Sequence, residues 1–152
     1  MKTKIILSLI SILFIFACTT GNTTSQNNKP GKVKTDIAAK LLNTSWELTE
    51  INGQEPDFGV AYSSKPVITI EFKDNGMNGR SVVNGYFSSY KINDDNISFG
   101  GIGATRMGGP KEFMDLEYKY FNILDKVNKV ELPDENTLIL KSNTDTLKFT
   151  KK

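Results

Sequence analysis

Chemistry needs side chains that take, give or share protons and electron pairs, and this chain of 152 residues has few of the usual ones. It has no histidine and a single cysteine, Cys18. That excludes a His/Cys zinc site, a Cys–His dyad, a Ser-His-Asp triad and an internal disulfide. Acid–base work falls to Asp, Glu, Lys or Tyr, and no catalytic pair among them declares itself by spacing. Gly103 and Gly108 have the gap of a phosphate-cradling loop, but Gly109-Pro110 stands where Lys-Ser/Thr is required. Those glycines read instead as tight backbone geometry ahead of a helix. Asp94-Asp95 lies between Asn93 and Asn96 and reads as a solvated turn, since a calcium site needs roughly six to eight oxygen ligands. No metal and no other cofactor is expected, and no enzymatic activity.

One carboxylate stands out because of the element that must carry it. Residues 110–127 follow Gly108-Gly109, with Pro110 expected at the first helical position. Phe113, Leu116, Tyr120, Leu124 and Val127 recur at three- and four-residue steps, while Lys111, Glu112, Asp115, Lys119, Asn122 and Lys126 collect opposite. With Phe113 at zero and ~100° per residue, Leu124 lies near ~20°, Glu117 near ~40° and Phe121 near ~80°. Glu117 therefore falls inside the apolar arc. A carboxylate there needs a partner or must stay protonated. Arg106, in the loop leading into the helix, is the first candidate for a buried ion pair with Glu117. Arg80, a tyrosine hydroxyl or loop N–H groups are the alternatives. The expected role is a clamp that fixes the glycine-rich loop on the helix.

Around that helix the pattern has the period of strands. Trp46-Glu47-Leu48-Thr49-Glu50 alternates apolar and polar up to the turn pair Asn52-Gly53. Residues 67–72 put Ile68, Ile70 and Phe72 on one face, and Asp74-Asn75-Gly76 turns the chain into a strand over 77–83. Residues 86–92 align Tyr86, Ser88, Tyr90 and Ile92, and further short strands are expected over 97–99, 130–132, 137–141 and 147–149. The fold class is mainly β: a small antiparallel barrel or meander of about eight strands with one inserted amphipathic helix. The domain is expected to span residues 41–152.

The first residues carry an address. Lys2 and Lys4 precede an apolar run over 5–16 and then Ala17, the three-part pattern of a secretory signal peptide over residues 1–17. That run is too short to span a bilayer, which takes about 20 apolar residues. Ile15-Phe16-Ala17-Cys18 resembles the lipobox of bacterial lipoproteins, with Phe16 where a small residue is usual. The resemblance implies diacylglycerol on the Cys18 sulfur and cleavage after Ala17. Losing residues 1–17 removes two lysines and no acid, leaving 17 basic and 17 acidic side chains. Residues 18–40, lacking aromatics and rich in Thr and Asn, read as the lipidated cysteine and a flexible tether. The expected place is the bacterial envelope, on an outer-membrane lipid anchor facing the periplasm. The full chain's +2 charge gives no sign of nucleic-acid binding, and the protein is expected to be monomeric.

Three segments together resemble the META domain family of HslJ-like heat-shock lipoproteins. They are Thr44-Ser45-Trp46-Glu47-Leu48, Asn84-Gly85-Tyr86-Phe87-Ser88-Ser89-Tyr90 and Thr105-Arg106-Met107-Gly108-Gly109-Pro110. Met114, Glu117, Phe121 and Leu124 match the family's helix. The resemblance implies a lipocalin-like barrel with one helix, and an envelope protein linked to stress tolerance. The two family cysteines are absent: Val83 and Gly109 stand in their places, a joint loss that makes sense if the two positions face each other. The matching residues Asn84, Tyr86, Tyr90 and Thr105, with Arg106, form the candidate face for a protein or small-molecule partner. Their alternative role is structural, through turn hydrogen bonds, barrel packing and a capping arginine. A second functional reading is a carrier of a small apolar ligand. Against it, Ile68, Ile70, Phe72, Tyr86, Tyr90, Leu138, Leu140 and the helix are expected to fill the barrel themselves.

Overall fold

The computed structural model describes residues 36–59 and 65–152. The expected signal peptide, Cys18 and the expected tether up to residue 35 lie outside the described residues.

The expected alternation becomes a single antiparallel sheet. In chain order its strands are β1 (Thr44–Ile51), β2 (Thr69–Lys73), β3 (Gly76–Arg80), β4 (Gly85–Ser88), β5 (Tyr90–Asn93), β6 (Asn96–Phe99), β7 (Gly103–Ala104), β8 (Lys129–Glu131), β9 (Thr137–Lys141) and β10 (Thr146–Lys151). Their order across the sheet is β5-β6-β8-β9-β10-β1-β2-β3-β4-β7. The strands β4 and β5 are consecutive in the chain, joined by Ser89 alone, yet lie near opposite ends of this ladder. The sheet therefore curls back on itself as a partial barrel. Ten described strands replace the expected eight for two reasons. The run over 86–92 changes partner at Ser89, from β3 to β6. The glycine segment expected as loop contributes β7, paired to β4 through Phe87↔Gly103. A Cβ at Gly103 would lie 2.7 Å from the Phe87 ring, so a larger residue would have to push that exposed aromatic off the strand.

The inner face is filled by the residues that the period-2 pattern singles out. Trp46, Ile68, Ile70, Phe72, Leu138, Leu140, Leu147 and Phe149 are buried, as is Tyr86. Each fully buried side chain of this size contributes ~1.5–3 kcal/mol relative to exposure. Tyr90 is only half-buried, with its ring edge-on to Phe72 at 5.1 Å. Outside, Lys148–Glu50 at 2.6 Å and Lys141–Glu131 at 2.7 Å bridge neighbouring strands. Such exposed pairs are worth little, ~0–1 kcal/mol each.

Two helices accompany the sheet. The first, α1 (Ile37–Leu41), lies within the expected tether and corrects its end. Asp36 caps it, its side chain accepting from the Ala39 N–H at 3.3 Å, and Leu41 is fully buried. Thr44 Oγ1 donates to Leu41 O and accepts from Trp46 Nε1 at 2.7 Å, which ties α1 to the start of β1. The second, α2 (Lys111–Leu124), is the expected amphipathic helix and buries Leu116, Glu117, Tyr120, Ile123 and Leu124. Pro110 is its N-cap rather than its first helical residue, with an extended ψ of 147°. The helix stops at Leu124, and Val127 reaches the core from the turn that follows.

Candidate functional site

The buried carboxylate of α2 is the centre of a polar cluster. Glu117 is 5% exposed, as its helical angle requires. Its partner is not Arg106, which is exposed and makes no ion pair with it. The turn between β3 and β4 supplies the partners instead. Glu117 Oε2 accepts from Ser81 Oγ, from the Val83 N–H at 3.0 Å and from the Asn84 N–H at 2.9 Å. Its Oε1 accepts from Asn84 Nδ2 at 2.6 Å. The expected ion pair was wrong, and the alternative of loop N–H groups is what the chain uses. Four neutral donors can hold an anion without a cation, because each converges on the oxygens that desolvation exposes. Burial pushes the Glu117 carboxyl up, but hydrogen bonds from Ser81, Asn84 and Val83 outweigh it and hold the group below its usual value.

Asn84 carries this clamp onward. Its Nδ2 also donates to Met107 O at 3.2 Å, while its Oδ1 accepts from Thr105 Oγ1 and from the Met107 N–H, both at 2.7 Å. Its backbone O accepts from the Ser81 N–H at 2.8 Å and is the alternative acceptor, also at 2.8 Å, for the one Ser81 hydroxyl hydrogen that Glu117 Oε2 takes. The amide thus uses both hydrogens and both lone pairs, and the network fixes its orientation. One side chain joins three segments: the β3–β4 turn, the loop after β7, and α2. The glycine-rich loop is indeed fixed on the helix, through Asn84 rather than through an arginine. Next to this contact, a Cβ at Gly109 would lie 2.8 Å from Val83 Cγ2. The two positions of the missing family cysteines do face each other.

The five residues of the candidate face divide. Asn84 and Tyr86 are buried and structural. Tyr86 O–H donates to Thr69 O at 2.8 Å and lies 2.6 Å from the Tyr120 hydroxyl. Burial pushes both phenols up; their contact pushes Tyr86 up further and partly offsets the rise of Tyr120. Tyr90 does not join them: its hydroxyl donates to Lys73 O at 3.2 Å, at the other end of β2 from Thr69. Thr105 and Arg106 are exposed, with the Thr105 hydroxyl used on Asn84 Oδ1. Sequence reasoning missed their exposed neighbours. Arg80 pairs across the ladder with Gly85, whose O accepts from the Thr105 N–H at 3.0 Å. Phe87 is 65% exposed and Met107 52%. A signal was present for Ser81, which stands three residues before Asn84 as a turn-closing serine does.

Ser81 and Glu117 are the nearest approach to a nucleophile and base, but both are buried and their bonding capacity is spent within the clamp. No group of three His, Cys, Asp or Glu among the described residues could hold a metal ion.

The sequence pattern of the META domain matches residues 39–152. No curated protein sequence matches the chain. Among solved structures, a protein from Burkholderia xenovorans is similar at 27% identity and a TM-score of 0.59, over 76% of this chain and 86% of that one. A DUF4847 family protein from Bacteroides vulgatus shares the fold, with a TM-score of 0.54 at 14% identity over 75% of this chain and 96% of its own.

Proposed function

The chain belongs to the META domain family, and on that premise we propose that it is a non-enzymatic envelope lipoprotein that binds an anionic partner through one end of its barrel. Cys18 carries the lipid that holds it on the outer membrane, facing the periplasm, and its role lies in envelope maintenance or stress response.

One observation carries the reading of the barrel end. Arg80 and Arg106 are the only arginines in the chain, and they flank Gly85 from β3 and from the loop after β7. Among the described residues neither forms a salt bridge, although lysines pair with carboxylates in seven places there. No acidic residue occurs over 76–93 or over 96–111, in a domain whose other segments are acid-rich. A planar guanidinium is suited to carboxylate or phosphate oxygens, and exposed Phe87 and Met107 offer apolar area beside it. The clamp beneath holds this end in one shape before any partner arrives, which lowers the ordering cost of binding. A carrier of apolar ligands would need interior space that Trp46, Phe72, Tyr86, Tyr120 and Phe149 occupy.

The test is native mass spectrometry and crosslinking on protein extracted from its own membrane, comparing wild type with Arg80→Glu/Arg106→Glu. A partner seen with wild type and lost in the variant supports the reading. An identical set of partners for both, or a stoichiometric lipid inside an intact barrel, defeats it.

A further inference from the structure

Four Asn-Gly steps occur in the chain, at Asn52-Gly53, Asn75-Gly76, Asn78-Gly79 and Asn84-Gly85. An asparagine followed by glycine is open to attack on its own side chain, because no Cβ shields the next backbone nitrogen. Attack also needs a side chain free to rotate and a backbone free to bend. Three of the four steps lack one of these. Asn52 is held at both ends of its amide: Nδ2 donates to Asp145 Oδ1 at 2.9 Å, and Oδ1 accepts from the Thr146 N–H at 2.8 Å. Asn84 spends its whole amide in the clamp. Asn78 is exposed, but it lies in mid-β3, paired with Glu71 on one side and Phe87 on the other. Its neighbour Gly79 is wedged so tightly that a Cβ there would be 2.0 Å from Thr69 O. Asn75 differs. It is exposed and its side chain makes no hydrogen bond among the described residues. Gly76 is packed near Ser88 O, but Asn75 itself sits outside the ladder, in the two-residue turn closed by Lys73↔Gly76.

We propose that Asn75 is a site of spontaneous covalent modification by its own backbone. The Gly76 nitrogen gives up its proton and bonds to Asn75 Cγ. The Cγ–Nδ2 bond breaks, and ammonia leaves carrying that proton. Water then opens the five-membered imide at either carbonyl, leaving aspartate or isoaspartate at position 75. No oxidant, cofactor or enzyme is required. The new carboxylate stands beside Asp74. In the isoaspartate form the turn gains one backbone carbon, so the Lys73↔Gly76 pairing that starts the β2–β3 hairpin must shift.

The full-length mature protein, folded, is aged in mildly alkaline buffer made with heavy-oxygen water. It is then digested, and the peptide of residues 74–80 is read by fragmentation for label at position 75 against position 78, with the peptides carrying Asn52 and Asn84 as further internal controls. Ladder-bound sites react only through local opening, so Asn75 should lead them by roughly tenfold or more. In denaturant the four rates should converge. Asn75→Ser should remove the leading product and leave the rest unchanged. A native protein in which Asn75 reacts no faster than Asn78 or Asn84 would overturn the proposal. So would an Asn75 that stays intact while the denatured chain converts.

Discussion

At the scale of single residues, the clamp makes unusual demands on substitution. Every partner of Glu117 is a donor, so Glu117→Ala leaves the Val83 N–H and one Asn84 amide hydrogen without an acceptor and throws the Ser81 hydroxyl and the Asn84 N–H back on each other's residue. Unsatisfied buried groups cost ~1–3 kcal/mol each, and partial relaxation leaves an expected loss of at least ~3 kcal/mol in denaturant titration. Glu117→Gln should fall between that and wild type, because its NH₂ would face Asn84 Nδ2, donor against donor. A value within ~0.5 kcal/mol of wild type for the alanine variant would mean that the cluster contributes nothing to stability. The sign of the pH effect follows from the lowered Glu117 value. The folded state favours the ionised carboxylate, so its stabilisation is complete above the unfolded value of ~4.3 and is lost as pH falls through the lower folded value. Unfolding midpoints measured down through pH ~4 should therefore drop more steeply for wild type than for Glu117→Gln. The tyrosine pair gives an ordered prediction as well. Tyr86→Phe strands both Thr69 O and Tyr120, whereas Tyr120→Phe leaves the Tyr86–Thr69 bond intact, so the first should be the more destabilising.

At the scale of elements, the β3–β4 turn and the segment entering α2 are joined by the Asn84 hydrogen bonds and by packing of Val83 against Gly109, the two positions at which the family resemblance implies cysteines. The 2.8 Å approach of a Cβ at Gly109 to Val83 predicts two outcomes. Gly109→Ala alone should destabilise, since the new methyl presses on Val83. Val83→Cys with Gly109→Cys should oxidise to an intramolecular disulfide, detectable as lost thiol titre. Closing a loop of roughly 25 residues would add ~3 kcal/mol if the geometry is unstrained. Elements differ in how openly the sequence announces them. Ile68, Ile70 and Phe72, or Leu138 and Leu140, alternate so regularly that their strands and their inward faces follow from period alone. The helical angle of Glu117 likewise announces its burial. It does not announce the partner, because periodicity tells which side chain turns inward and nothing about the turn it meets 36 residues earlier in the chain. Arg106 was the expected partner on charge and proximity; backbone N–H groups carry no charge to notice. Strand β7 is too short, at two residues, to show a period.

At the scale of the whole molecule, the anchor and the folded part are separate questions. If Cys18 is acylated, Cys18→Ser should abolish labelling by an alkyne fatty acid and leave an uncleaved precursor, visible by gel shift. Unchanged labelling would sink the anchor. Helix α1 with its Asp36 cap precedes the expected domain start at Leu41 and buries Leu41, so deleting residues 36–41 should lower the melting temperature, whereas shortening the expected tether over 19–35 should leave it unchanged.

The pairing of β1 with β10 constrains when folding can occur. Trp46 faces Lys151 and Leu48 faces Phe149, and this pair sits in the middle of the sheet, with β2 and β9 on either flank. The first strand made by the ribosome thus waits for the last before the sheet has a centre. Contacts of such long sequence separation form late and slowly. A nascent chain ending before residue 146 lacks β10, so the ladder β1-β2-β3-β4-β7 and the ladder β5-β6-β8-β9 share no strand pairing. Until β10 is made, the edges of β1 and β9 that it will bridge both stand open, so the barrel wall closes only with the arrival of residues 146–151.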